Sequence, residues 1–171
     1  MPRCLALFSG GLDSSLAIAM IRRQGIDVIA LHFLSHFFGS FGSEKATFMA
    51  KQLNVPIVTV PFHAQQLSVT VNPRFGRGKC FNACIDCHSE MIKTAGRLLK
   101  HYGADFIISG EVLGQRPMSQ NKDALGKVLN HCGYGELVLR PLSAKLLPAN
   151  AAYQFVDITK LEDISGKSPA R

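Results

Sequence analysis

Two short stretches carry residue types arranged for chemistry. The first is LFSGGLDSS, residues 7–15, where an apolar run meets a glycine pair, a carboxylate and three hydroxyls. A chain that turns through Gly10 and Gly11 into a helix aims several backbone N–H groups at one point, and the positive end of the helix dipole adds to them. The hydroxyls of Ser9, Ser14 and Ser15 can donate further hydrogen bonds, and pyrophosphate is the guest that suits such a cradle. Asp13 would repel phosphate unless a cation lay between them, so its place in the loop argues for Mg²⁺ bridging carboxylate and phosphate oxygens. A loop that clamps a transferred phosphoryl group ends in Lys, and this one does not. The plainer alternative is a glycine-rich turn whose Asp and Ser only cap the helix.

The second stretch is KCFNACIDCHSE, which spaces Cys80, Cys84 and Cys87 as C-x3-C-x2-C and adds His88. Cys84 and Cys87 fall where a helix should begin, and a helix N-terminus favours the thiolate. That thiolate can attack, carry sulfur or bind metal. Cys4, on a predicted strand, reads as a small core residue, and nothing pairs Cys132 with a function. His32 and His63 sit near strand ends, where local hydrogen bonds account for them.

The elements that must position these residues follow from periodicity. Apolar runs of strand length alternate with helix-period segments, the pattern of a parallel sheet with crossover helices. Strands are expected at 3–8, 26–33, from 55, at 105–110 and at 137–141. Helices are expected at 14–24, 43–54 with Ser43 as N-cap, 63–70, 84–102 and 117–131. Five strands so connected make a doubly wound α/β domain, whose ligands lie outside the carboxyl ends of the strands. Phe37, Phe38 and Phe41 follow the second strand, placed either to pack their loop or to cover an adenine. Periodicity weakens after Pro148, so residues 1–148 read as the domain and 149–171 as a C-terminal tail whose polar end frays.

Composition bounds the rest. A chain of 171 residues with 47% hydrophobic content can bury the core of one domain, and no apolar run approaches membrane-spanning length. No signal-peptide pattern opens it, and the odd count of five cysteines, three crowded together, suits a reducing compartment; a cytoplasmic location is the expectation. The net charge of +7 is uneven: Arg74, Arg77, Lys79, Lys93, Arg97 and Lys100 face only Asp86 and Glu90 in their window. Such a stretch suits a polyanion such as RNA, or else a solvated helix face.

SGGLDSS, Ser9 to Ser15, resembles the PP-loop of the ATP pyrophosphatase superfamily, whose motif is SGGxDSS. GADFIISGEVLGQRPMSQ (103–120) and LRPLSAKLLP (139–148) are similar to segments of the PP-loop proteins related to tRNA thiouridine synthases. The resemblance implies the doubly wound fold, cleavage of ATP to AMP and pyrophosphate through an adenylated intermediate, and a strand-end Ser109–Gly110 pair facing the nucleotide. It also accounts for the missing Lys, since the leaving pyrophosphate needs a cradle rather than a clamp. NACIDCH resembles the NPCxxC stretch of those synthases, with Ala83 in place of Pro. The residue matching Cys84 then acts as a persulfide sulfur carrier, with Cys87 resolving, or Cys80, Cys84 and Cys87 hold a [4Fe–4S] cluster with one iron open to sulfide. By ligand count Cys80, Cys84, Cys87 and His88 would also satisfy Zn²⁺.

The function this implies is ATP-dependent thiolation of a tRNA uridine, with sulfide or a persulfide protein as sulfur donor. The absence of an evident RNA-binding appendage makes a homo-oligomer or a partner protein part of the expectation. A sulfur transferase acting on a small cofactor, and a binding subunit without turnover, are the alternatives.

Overall fold

Alternate residues along each strand belong to opposite layers, as the two-residue period of a strand requires. In the computed structural model, which describes residues 1–35, 40–77 and 83–166, the first strand β1 spans Arg3–Leu7; its Cys4 and Ala6 face one apolar layer and its Leu5 the other. The elements then run α1 (Leu12–Arg22), β2 (Asp27–Leu34), α2 (Ser40–Gln52), β3 (Ile57–Pro61), α3 (His63–Val71), α4 (Cys84–Tyr102), β4 (Phe106–Ser109), α5 (Lys122–Cys132) and β5 (Val138–Leu139). The strands form one sheet in the order β3-β2-β1-β4-β5, with every pairing parallel.

Both faces of a parallel sheet must be covered, and they are. On one side Ile18 and Ile21 of α1 and Ala46 and Ala50 of α2 pack against Phe106 and Ile108. On the other, Ile92, Ala95 and Leu99 of α4 and Val128 of α5 pack against Leu5, Leu31 and Ile107. The doubly wound α/β architecture expected from the sequence is the one observed. α4 closes at Gly103, whose left-handed φ of 57° lets its N–H reach back to the last turn.

Several boundaries differ from expectation, α1 at Leu12–Arg22 against 14–24 and β5 at Val138–Leu139 against 137–141 among them. α2 starts at Ser40 rather than Ser43, and Ser43 Oγ lies 3.2 Å from His32 Nε2 instead of capping. α5 starts at Lys122 rather than 117, because the chain turns at 116–120 and Asn121 Oδ1 then accepts the Ala124 N–H at 2.8 Å. Residues 149–166 continue against the core, through short 3₁₀ turns at Ala151–Phe155 and Ile158–Lys160 that bury Ala152 and Leu161.

Candidate active site

The order of the strands reverses between β1 and β4, and a crevice opens there at their carboxyl ends. The loop from β1 into α1 forms one wall. Gly10 holds φ 72°, and a Cβ there would come within 2.7 Å of the Ala46 Cα on α2. Gly110, just past β4, is pressed closer still: its Cβ would lie 2.5 Å from the Ser14 backbone nitrogen and 2.8 Å from the Asp13 carbonyl carbon. Backbone against backbone thus sets where α1 begins, and only glycine permits it. The first-turn N–H groups of a helix have no partner within it, so those of α1 are left for the crevice.

The hydroxyls divide in role. Ser14 Oγ and Ser15 Oγ both donate to the Gly11 carbonyl, at 3.1 and 2.8 Å, while Ser9 Oγ accepts the Gly11 N–H at 3.2 Å. Ser9, Gly11, Asp13 and Ser14 line a cleft of about 560 Å³, together with His32, Phe33, Ser109, Gly110 and Glu111. Gly10 and Ser15 stand behind it, shaping the loop. One oxygen of Asp13 accepts a hydrogen bond from Gln115 Nε2 at 3.0 Å, which fastens the segment after β4 to the head of α1. His32 donates from Nδ1 to the Phe8 carbonyl at 3.0 Å, a local bond of the kind expected of it.

The cleft's far wall is the second turn of α4; Cys84 and Cys87, in its first turn, do not line the cleft. Cys84 opens this helix, Cys87 follows on the same face, and both thiols are free and half-buried. His88 and Met91, the next residues along, line the cleft itself. The dipole argument fails for Cys87: burial, then the neighbouring Cys84 and Asp86, push its thiol up to about 12. Cys80 lies outside the described residues, as do Phe37, Phe38 and the side chain of Phe41. Among the described residues no three His, Cys, Asp or Glu side chains gather as a metal-ligand set.

Beneath the cleft sits a buried charge cluster that the sequence reading did not pick out. Glu111 Oε1 meets His88 Nδ1 at 2.6 Å, and Glu111 Oε2 accepts from Arg140 Nε and from Ser109 Oγ, both at 2.9 Å. Burial alone would raise the Glu111 carboxyl, but the Arg140 guanidinium and the His88 ring hold it well below the usual carboxylate range. Gln120 is also buried in the cleft wall, and its Oε1 has no partner among the described residues. Gln115, Arg116 and Gln120 all fall in the 103–120 stretch singled out above, where a charged residue directly after an apolar strand was the available signal.

A parallel doubly wound sheet with this glycine-built loop at its switch point defines the PP-loop class of adenine-nucleotide proteins. The chain belongs to the ThiI family: the family described as "Thiamine biosynthesis protein (ThiI)" matches residues 2–145. It is 30% identical over 121 residues to a probable tRNA sulfurtransferase of Thermococcus kodakarensis, covering 66% of this chain and 30% of that one. It is 25% identical over 146 residues to the tRNA-specific 2-thiouridylase MnmA of Beijerinckia indica, covering 76% of this chain and 34% of that one. The chain therefore spans about a third of the length of these relatives. Among solved structures, a 4-thiouridine synthetase in complex with RNA and ATP superposes with a TM-score of 0.67 at 22% identity, over 82% of this chain and 36% of that one. No helix among the described residues is long and apolar enough to cross a membrane.

Proposed function

We propose that this protein uses ATP to activate a uridine carbonyl of tRNA and replaces that oxygen with sulfur handled by Cys84 and Cys87. The observation that carries the proposal is a shared cleft. The α1 loop lines one side, and the residues that follow the two cysteines on α4 line the other. The acceptor is taken from relatives named as tRNA sulfurtransferases.

In the first step the uridine oxygen attacks the α-phosphorus of ATP, the bond to the β-phosphate breaks, and pyrophosphate leaves into the backbone N–H groups at the head of α1. In the second, sulfur attacks the activated carbon, the C–O bond breaks, and AMP leaves. Asp13, half-buried in the cleft with one oxygen on Gln115, fits Mg²⁺, which would offset charge on the phosphates. Cys84 and Cys87, as free thiols on one helix face, fit two ligand positions of a [4Fe–4S] cluster with Cys80 as the third, and such a cluster would supply an iron open to sulfide. One observation favours the dithiol route instead: Cys87 packs against the core and Cys84 does not, which suits Cys84 as carrier and Cys87 as resolving thiol. In that route a persulfide donor protein would load Cys84, and the outer sulfur would attack the activated carbon as AMP leaves. Cys87 would then attack the Cys84 sulfur to release the thiouridine and leave a Cys84–Cys87 disulfide, and an external thiol would reduce that disulfide.

The test is anaerobic incubation with unmodified tRNA, ATP and Mg²⁺, with sulfide in one arm and with a persulfide donor plus a thiol reductant in the other, followed by nucleoside mass spectrometry and an AMP assay. Thiouridine with AMP is the expected result. AMP without thiouridine would replace tRNA by another acceptor, and neither product would end the adenylation proposal.

A further inference from the structure

A cleft for a triphosphate needs positive charge, and the loop at residues 9–15 contains neither Lys nor Arg. Among the described residues that line the cleft, Arg116 is the single Lys or Arg. Two histidines also line it: His32 is held between the Phe8 carbonyl and Ser43 Oγ, and His88 is held by Glu111 at 2.6 Å, while Arg140 lies under the cleft with its Nε on the same carboxylate. Arg140 is thus matched by the Glu111 carboxylate and does not line the cleft, while the Asp13 carboxylate adds negative charge where phosphates would sit.

We infer that Arg116 is a phosphate-binding residue, supplying from across the cleft the cation that the loop itself lacks. This rests on the nucleotide reading above and adds a residue that reading does not use. The backbone at Arg116 is built to hold such a role. Gln115, its neighbour, is bonded to Asp13 at 3.0 Å, so the side chain starts beside the head of α1. The Arg116 carbonyl accepts from the Gln120 N–H at 2.8 Å and the Ser119 N–H at 3.3 Å, closing a turn in which Pro117 removes a degree of freedom. Upstream, the Leu113 N–H is bonded to Ser143 Oγ at 2.9 Å. The peptide is fixed on both sides, yet the residue is exposed and its guanidinium has no acceptor among the described residues. A planar guanidinium can meet two phosphate oxygens at once, which a lysine ammonium cannot do with the same geometry.

Titration calorimetry with ATP, with inorganic pyrophosphate and with adenosine on the unaltered protein, Arg116→Met and Arg116→Lys tests this. The Met variant is expected to bind ATP and pyrophosphate about tenfold or more weakly. It should bind adenosine as before, and the Lys variant should recover part of the loss. Unchanged ATP and pyrophosphate affinity in Arg116→Met overturns the inference, and so does an equal loss for adenosine, which would mark a merely structural residue. An unaltered protein that binds no ATP would overturn the nucleotide reading itself, an outcome distinct from either.

Discussion

The cleft lies between two helices, α1 and α4, whose N-termini are secured in opposite ways. Neither has a side-chain cap: Gly11 precedes α1 and Ala83 precedes α4. The head of α1 is set by contact between backbones, with Gly10 against α2 and Gly110 against Ser14. The head of α4 is set by a carboxylate. Asp86, buried in its first turn, accepts the backbone N–H groups of Arg74 and Phe75 at 3.0 and 3.2 Å, and the Phe75 ring packs edge-on against His131 of α5 at 4.7 Å. A steric seat tolerates no added atom, whereas a hydrogen-bonded seat tolerates a change of group so long as an acceptor remains. The two halves of the proposed reaction therefore rest on two different kinds of physical constraint.

Substitutions that separate the two heads give the largest expected effect. Asp13→Ala should cut AMP release by about 100-fold or more, the scale of losing a group that stabilises developing charge, with little change in melting temperature. Cys84→Ser should leave AMP release in place and abolish thiouridine. A Cys84→Ser protein that still thiolates would remove α4 from the chemistry.

Next comes the cluster that joins the two walls. Glu111→Gln leaves the Arg140 side chain, 2% exposed, without its carboxylate, and should cost about 3–5 kcal/mol in denaturant unfolding. The same carboxylate sets an acid limit. Its folded pKa lies below its unfolded value, so it contributes stability that is fully present above about pH 4.5 and is lost progressively as pH falls below that, and Glu111→Gln should flatten this limb of the unfolding profile.

Gly110→Ala should cost about 1–3 kcal/mol through the clash with Ser14 and weaken ATP binding along with it. Asp86→Asn should have the smallest effect, about 1 kcal/mol, since an amide oxygen can still accept one of the two N–H groups. Faster proteolytic cleavage near Arg74 and Arg77 in that variant, with ATP binding intact, would confirm that the two heads are independently secured.

The loop into α1 was legible in the sequence, because a glycine pair between a strand and a helix declares a turn that aims backbone N–H groups at one point. Ser109–Gly110 came from the resemblance, and the backbone contacts of Gly10 with Ala46 and of Gly110 with Ser14 join residues far apart in the chain and were not legible. The sheet was legible too, since strand and helix periods alternate cleanly. The charge cluster was not. Glu111 and Arg140 are far apart in the chain and meet only because β4 and β5 pair Ile107 with Val138 and Ile108 with Leu139, which brings the residues just beyond them together. Asp86 was counted as a charge opposing a basic window, yet its carboxylate is spent on backbone. Part of that window is likewise spent locally: Arg77 donates to the Thr70 and Val71 carbonyls at the end of α3, and Lys93 pairs with Glu90 at 3.2 Å. Charge counts along a sequence do not distinguish a side chain that meets solvent from one that finishes a helix.

The stretch after Pro148, weakly patterned in sequence, ends as a strap on the cleft. Ser165 pairs with Leu113 in an isolated parallel bridge, and the Gly166 N–H donates to the Leu113 carbonyl at 2.7 Å. Leu113 begins the segment that carries Gln115 and Arg116. A nick between Leu161 and Gly166 would spare every strand of the sheet and still slacken the wall that faces the head of α1. The tail is thereby one support of that wall, beside the Ser143 hydroxyl that accepts the Leu113 N–H at 2.9 Å and itself donates to the Ile164 carbonyl of the tail at 2.7 Å.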